Sequence, residues 1–388
     1  MEYEKLVLAA LSGEIVLKSE RTRPRFEQRL VENIHDALSR NNVSCKSIAI
    51  EYARLLVRDC SDYDKALDTL LRVFGVHGAA IAYSFKHSGS LDEIAVGVRE
   101  IAAEWVKGRK FAVRARRSGV EGFTSLDIAR RVGAELYPYS AGVDLEKPEV
   151  EVYVEVRGRQ VYVYQGMRPG PGGLPVGVEG RALVLFSGGL DSPVAAWYTA
   201  KRGVEVDLLH FILAVPASAR DAERVGRRLA ELWLYGYKPK LFLVDFRPVT
   251  VTIASNTRRG YEQIVLRLAM YYAAQLIAEK HGYDAVVTGE SIGQVSSQTL
   301  KNMKAMAQAL PLRLPLIRPL AGMDKEEIVT VCRRIGVYEE AAKTKEYCQI
   351  ARGLAITRAD PKILSEEFEK VKDIVEASLA TLKTVDLA

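Results

Sequence analysis

Ser187-Gly188-Gly189-Leu190-Asp191-Ser192 lies between an apolar run, Ala182 to Phe186, and a segment with helical spacing. These six residues suit the handling of phosphate. Glycine backbone can approach an oxygen closely, and the Ser187 and Ser192 hydroxyls can donate to it. A helix starting here also turns unpaired N–H groups and the positive end of its dipole toward an anion. Asp191 is the odd member, because a carboxylate repels phosphate unless a cation lies between them; magnesium coordination is its expected use. The loop lacks both the Gly-Lys-Ser/Thr of Walker-type NTPases and the G-x-G-x-x-G of dinucleotide folds. Ser192 is the expected N-cap, Pro193 fits the first turn, and Gly203 closes the helix. A tight strand-to-helix turn without a ligand is the alternative.

Other residues have chemistry of their own. Cys348 follows Lys343, Lys345 and Tyr347 in a polar segment, where cations favour the thiolate that carries sulfur as a persulfide; a space-filling loop cysteine is the alternative. Cys332 falls at helical spacing with Ile328, Val331 and Ile335 and is expected in the core. Cys45 and Cys60 have no partner motif, and none of the four cysteines forms a CxxC pair. Neither a disulfide framework nor a zinc ribbon is therefore expected, and a reducing compartment fits. Lys325 follows Asp324 at a helix start, where Glu327 completes a capping box and a phosphate-facing role would offset the unfavourable dipole. In "KGRKFAVRARR", Arg114 and Arg116 share the strand face opposite Phe111, Val113 and Ala115, with Lys107, Arg109, Lys110 and Arg117 close by. Such a stripe suits the phosphates of a structured RNA, or is a solvated face. No aromatic platform for stacking single-stranded bases is evident.

The 388 residues allow two or three domains, and a net charge of +6 permits a basic face without making the chain a polycation. No long apolar run or signal-like N-terminus occurs, so a cytoplasmic protein is expected. The first part reads as strand "KLVLAAL", helix "RFEQRLVENIHDALSR", alternating stretch "SIAIEYARLLVR", helix "DYDKALDTLLRVFG" and strand "AAIAYSFK". Two helices and the basic strand follow, then a hairpin around Arg157-Gly158-Arg159. "RPGPGGLPVGVEG" has no room for a regular element and marks the best boundary. Beyond it, strands "ALVLF", "EVDLLHF", "KLFLVDF" and "DAVVTG" alternate with helices, predicting an α/β doubly wound parallel sheet. Ligands of such sheets sit beyond the strands' carboxyl ends, near Ser187 to Ser192 and Thr288 to Gln298.

"SGGLDS" after a buried strand resembles the signature of the PP-loop ATP pyrophosphatases, which cleave ATP between its α and β phosphates. "TGESIGQVSSQTLKNM", "RPLAGMDKEEI" and "TKEYCQIA" narrow the resemblance to the tRNA 4-thiouridine synthetases, or tRNA sulfurtransferases (ThiI-like). Upstream, "GEIVLKSERTRPRFEQRLVENI" is similar to their ferredoxin-like domain and "FAVRARRSGVEGFTSLDIARRVGAELY" to an RNA-binding THUMP domain. The resemblance implies a ferredoxin-like domain over 1–60, a THUMP domain over 61–166, a linker over 167–180 and a PP-loop domain over 181–388. For ATP it implies Ser187, Gly188, Gly189 and Ser192, backbone of Leu185, Phe186, His210 and Phe211, and also Arg267, Gly289 and Gln298. Plain core positions for Phe186 and Phe211, a satisfied strand-end His210 and a solvated Arg267 stay open. No structural need is evident for Gly289 or Gln298. Asp191, Lys325 and Cys348 would be catalytic.

The implied activity is ATP-dependent conversion of a tRNA uridine, position 8 in the family, to 4-thiouridine, with AMP and pyrophosphate released. Many bacterial members append a rhodanese-like domain with a second cysteine. None is present here, so sulfur is expected from a separate persulfide donor or sulfide, and a role in thiamine biosynthesis ranks last. Ile264 and Arg267 stand where some archaeal members place a CxxC, which argues against an iron-sulfur cluster. A homodimer is compatible with this reading. The rival readings are another PP-loop synthetase and a non-catalytic tRNA-binding protein.

Overall fold

The computed structural model describes residues 1–51, 53–344 and 356–388. It comprises two compact units, Met1–Leu174 and Pro175–Ala388. In the first, β1 (Glu4–Leu11) leads through α1 (Gly13–Val16) and α2 (Arg23–Arg40) to β2 (Cys45–Glu51), β3 (Arg54–Cys60), α3 (Tyr63–Leu70) and β4 (Val76–Lys86). There follow α4 (Leu91–Val106), β5 (Lys110–Ser118), α5 (Ser125–Leu136), β6 (Gly142–Val143), β7 (Val150–Arg157), β8 (Gln160–Tyr164) and β9 (Arg168–Pro169). Local chemistry explains several starts. Asp62 and Ser90 cap α3 and α4, and Thr124 with Asp127 forms a capping box on α5.

Among the described residues these strands form one nine-stranded sheet, in the order β2-β3-β1-β4-β8-β7-β5-β6, with β9 also on β4. The expected boundary at 60/61 falls inside the first module, because β4 pairs with β1 from Glu4↔Ser84 to Leu11↔Val76. The stretch "SIAIEYARLLVR" is not one strand. It is the β2–β3 hairpin, turning at Ala53 with φ +58°, and alternation of period two continues across such a turn unnoticed. The expected linker divides: Arg168 and Gly170 bond to β4, whereas Gly177 and Val178 donate to Gly203 O.

The hairpin overturns one expectation. Cys45 and Cys60 are opposite each other in the β2–β3 register and are joined by a disulfide. Read as one strand, their segment could not bring them together.

The second unit runs β10 (Arg181–Leu185), α6 (Asp191–Lys201), β11 (Glu205–Ile212), α7 (Ala217–Trp233), β12 (Lys240–Asp245), α8 (Arg247–Asn256), α9 (Glu262–His281) and β13 (Ala285–Val287). It continues through α10 (Leu300–Ala309), β14 (Leu316–Ile317), α11 (Lys325–Arg334), α12 (Tyr338–Ala341), α13 (Pro361–Ser378) and β15 (Lys383–Asp386). The sheet order is β14-β13-β10-β11-β12-β15 among the described residues. Pairing is parallel except for β15, which closes the β12 edge antiparallel. The apolar helix α9 is buried with Leu183, Leu209, Phe242, Phe246 and Phe368 in the core. The chain proceeds from β10 outward to β12 and returns on the other side of β10 as β13. That switch point opens a crevice beyond the strand ends.

With Cys45 and Cys60 joined, non-reducing thiol labelling of the denatured chain should modify Cys332 and Cys348 but neither of them. Cys45→Ala should lower the unfolding free energy of the first unit, by at most about 3 kcal/mol for a loop of this length, read from its denaturation curve.

Candidate active site

The β10-to-α6 handover depends on Gly188. Its φ is +79°, and a Cβ there would lie 2.9 Å from Ala222 Cα on α7, so left-handed backbone and close approach both require glycine. Helix α6 begins at Asp191, two residues before Pro193, and no side chain caps it. Ser192 is not the N-cap: its Oγ accepts from Gly188 N at 3.3 Å, while Ser187 Oγ accepts from Gly189 N at 3.2 Å. The serines therefore hold the loop in shape, and the first amides of α6 are left without a capping side chain. Uncapped amides at a helix start suit an anion.

Asp191 leads α6 but already has partners. Lys325 Nζ donates to its Oδ1 at 2.6 Å and Gln294 Nε2 to its Oδ2 at 3.0 Å. The expected box at Asp324 and Glu327 is formed and presents Lys325 from the first turn of α11. Gly289 has the structural need the sequence did not reveal: a Cβ would lie 3.2 Å from Asp191 C and 3.3 Å from Ser192 N. The loop after β13 thus packs directly on the start of α6. Gln294, which fixes Asp191, lies within the motif after β13 but carries no signal of its own.

These groups surround a cavity of about 500 Å³, a size suited to a small-molecule ligand. Of the predicted residues, Leu185, Phe186, Ser187, Gly189, Asp191 and Ser192 line it from the first strand and loop. His210, Phe211, Arg267, Gly289, Gln298 and Lys325 close it from the other elements. Gly188 lies behind the loop, and Cys348 lies outside the described residues. Phe186 and Phe211 are also buried core residues. Gln298 is 9% exposed, and its buried Oε1 has no hydrogen-bond partner among the described residues. That acceptor suits a ligand N–H or O–H.

His210 is buried with both ring nitrogens engaged. Nδ1 lies 2.9 Å from Phe186 O, which can only accept, so this nitrogen carries the proton; Nε2 lies 3.0 Å from Ser218 Oγ. Burial holds its pKa below the usual histidine value. Arg267 is no solvated arginine. It is ion-paired with Glu290, a wall residue the sequence did not single out. Burial opposes ionisation of Glu290, but the Arg267 charge, the Tyr271 hydroxyl and Arg318 together outweigh it and depress its pKa. Cys332 is fully buried, which pushes its thiol up to about 11, as befits an inert core thiol.

Among the described residues no group of three or more His, Cys, Asp or Glu is placed to hold a metal. Among the described residues the cavity wall offers two carboxylates, and Glu290 is held between guanidiniums. Asp191, with its side chain 29% exposed, is the one that fits magnesium. A single carboxylate with substrate phosphates is a common magnesium set, although the ion would displace Lys325 or Gln294.

On the first unit, the basic strand divides in its use. Arg114 donates to Glu151 Oε1 at 2.8 Å and to Leu145 O, Arg117 to Val120 O, and Lys107 pairs with Glu104. Arg109, Lys110 and Arg116 are exposed and form no ion pair among the described residues. Tyr137 and Tyr139, 60% and 46% exposed, adjoin them, since Gly108 N donates to Tyr139 O and Ala141 N to Arg109 O. Two exposed tyrosines thus adjoin the basic strand. A short turn after α5 carries them.

A doubly wound sheet whose glycine loop and uncapped helix face a switch-point cavity defines the class of PP-loop ATP pyrophosphatases, here following a strand-rich basic unit. Comparison with known proteins narrows this. The model of the family "Thiamine biosynthesis protein (ThiI)" matches residues 177–373, that of the THUMP domain 88–165, and that of the ThiI ferredoxin-like domain 10–80. A tRNA sulfurtransferase of Desulfurococcus amylolyticus is 46% identical, covering 98% of this chain and 78% of its own. A "Probable tRNA sulfurtransferase" of Aeropyrum pernix is 43% identical over 96% of this chain and 93% of its own. Among solved structures, a 4-thiouridine synthetase–RNA complex with bound ATP superimposes with TM-score 0.83 at 30% identity, covering 99% of this chain and 100% of its own. A protein from Pyrococcus horikoshii reaches TM-score 0.66 at 25% identity, covering 86% and 99%. The chain belongs to the tRNA sulfurtransferase (ThiI) family.

His210 makes the fold sensitive to acid. Its pKa is lower folded than unfolded, where it is about 6.5; as pH falls through that value the unfolded chain binds the proton first and stability drops. Wild-type protein should therefore lose more thermal stability between about pH 7.5 and about pH 5.5 than His210→Asn, which keeps a donor to Phe186 O. Equal losses would remove His210 as the source.

Proposed function

We propose that this protein uses ATP to activate O4 of a tRNA uridine, position 8 by resemblance to its family, and then replaces that oxygen with sulfur. The observation that carries the reading is the uncapped start of α6 with Lys325 held against Asp191 beside the cavity. The amides of α6 and the Lys325 ammonium receive the triphosphate. Uridine O4 attacks the α-phosphorus, forming the O4–P bond as the bond to pyrophosphate breaks. The loop amides and Lys325 stabilise the charge that moves onto pyrophosphate. Asp191 would hold magnesium, which supplies further neutralisation of that charge.

AMP is a far better leaving group than hydroxide. A sulfur nucleophile attacks C4 and AMP departs with the C–O bond electrons. From sulfide the product is 4-thiouridine directly. From a persulfide on Cys348, the terminal sulfur forms the C–S bond and a second thiol then cleaves the S–S bond, leaving a disulfide. The reading uses no iron-sulfur cluster, since Ile264 and Arg267 offer no thiolate, and takes its sulfur from a separate persulfide donor or sulfide. Arg109, Lys110 and Arg116 would meet tRNA phosphates, with Lys107, Arg114 and Arg117 freed from internal partners only at a cost. Tyr137 and Tyr139 offer faces for unpaired bases. The cytoplasm, where tRNA and ATP are available, is the expected location.

Incubation with tRNA, Mg-ATP and sulfide, followed by nuclease digestion and mass spectrometry, should yield 4-thiouridine. AMP formation without thiolation across sulfide and persulfide donors would sink the reading in favour of another PP-loop synthetase. No AMP and ATP-independent tRNA affinity would favour a binding protein. Asp191→Asn should abolish AMP formation, whereas full activity of Cys348→Ala with both donors would take that thiol out of the mechanism. Arg116→Glu should weaken tRNA binding at all sequences and lower the salt slope by about 1 for each phosphate it no longer neutralises.

A further inference from the structure

The mechanism above gives no task to Glu290 or Arg318, yet they form the most enclosed charge cluster beside the cavity. Glu290 is 1% exposed. Ionised carboxylates are seldom buried so fully without a purpose or a strong pairing. Adjacent strand ends supply the two residues: Thr288 N donates to Ile317 O at 3.0 Å, which sets the segments after β13 and β14 side by side. Arg318 Nε then donates to Glu290 Oε2 at 2.8 Å, and Arg267 Nη1 reaches Glu290 Oε1 from α9. Arg267 and Glu290 are on the cavity wall, whereas Arg318 is behind it.

Two consequences follow from charge and donor counting. Two guanidiniums against one carboxylate leave one positive charge in excess, in surroundings where water screens it poorly. Arg318 donates to Oε2 and Arg267 to Oε1, so Arg267 is not held in a two-point fork. Only Nη1 of Arg267 is bound to it, and a guanidinium has further N–H donors for a group at the cavity that Arg267 lines. An Arg267–Glu290 pair without Arg318 would be neutral.

We propose that Glu290 and Arg318 are positioning residues for nucleotide binding, which hold Arg267 at the cavity with spare donors and leave one positive charge for the bound ATP to match. This deepens the reading given above and rests on it. Neither residue needs to touch the nucleotide. Arg318 acts by occupying Glu290, and Glu290 acts by anchoring Arg267.

Equilibrium ATP binding without tRNA, alongside thermal melts without nucleotide, tests this. Glu290→Gln and Arg318→Met should each weaken ATP binding about tenfold or more, and Arg318→Lys, which restores the charge, should recover part of it. The double variant Glu290→Leu, Arg318→Met keeps the net charge with an apolar replacement of the kind buried clusters tolerate. Positioning predicts that it too binds ATP weakly while melting close to wild type. Wild-type affinity in the folded double variant would overturn the proposal, as would single variants that lower only the melting temperature. Wild-type protein that does not bind ATP would instead overturn the nucleotide-site reading itself.

Discussion

The catalytic unit depends on a contact that only a glycine permits, the approach of Gly188 to the backbone of α7. That contact lets β10 turn into α6 through the short loop Phe186 to Leu190, so the first amides of α6 face the cavity. The carbonyl end of Asp191 in turn receives Gly289, which brings the loop after β13 against the same helix start. Both approaches are backbone against side-chain-free backbone. Any Cβ would separate the elements by tenths of an ångström and move the first amides of α6 from their place at the cavity.

Around this joint the polar groups are arranged in pairs that a ligand can exchange. Lys325 and Asp191 neutralise each other, and Gln294 takes the remaining carboxylate oxygen. Such a pair lowers the cost of keeping charge in a partly closed crevice. It also places a cation beside the uncapped start of α6. His210 contributes differently, tying Phe186 O to α7 through Ser218 in a wholly neutral link.

Much of this was legible because the relevant signals are local. A strand, two glycines and a helix start occupy consecutive positions, and so do the residues of the box that displays Lys325. The β2–β3 hairpin was not legible, since alternation carries no mark of a turn at Ala53, and the Cys45–Cys60 disulfide was missed with it. The antiparallel edge strand β15 and the Glu290–Arg318 pair escaped for a related reason. Each is defined by a partner distant in sequence, β12 in one case and neighbouring strand ends in the other. Gly289 shows the limit from the other side: its residue type was noticed, but the helix backbone that demands it could not be.

The first unit's two modules share one hydrogen-bonded ladder, since β4 of the ferredoxin-like part pairs with β8 of the THUMP part. A hinge between them would have to break Tyr83↔Val163 through Lys86↔Gln160. They therefore act as a single stiff plate, about 34 Å across from β2 to β6 at ordinary strand spacing. A plate of fixed shape has little internal freedom to surrender when a large polyanion settles on it. The free energy of its contacts is then available for holding the RNA rather than for assembling the surface that holds it.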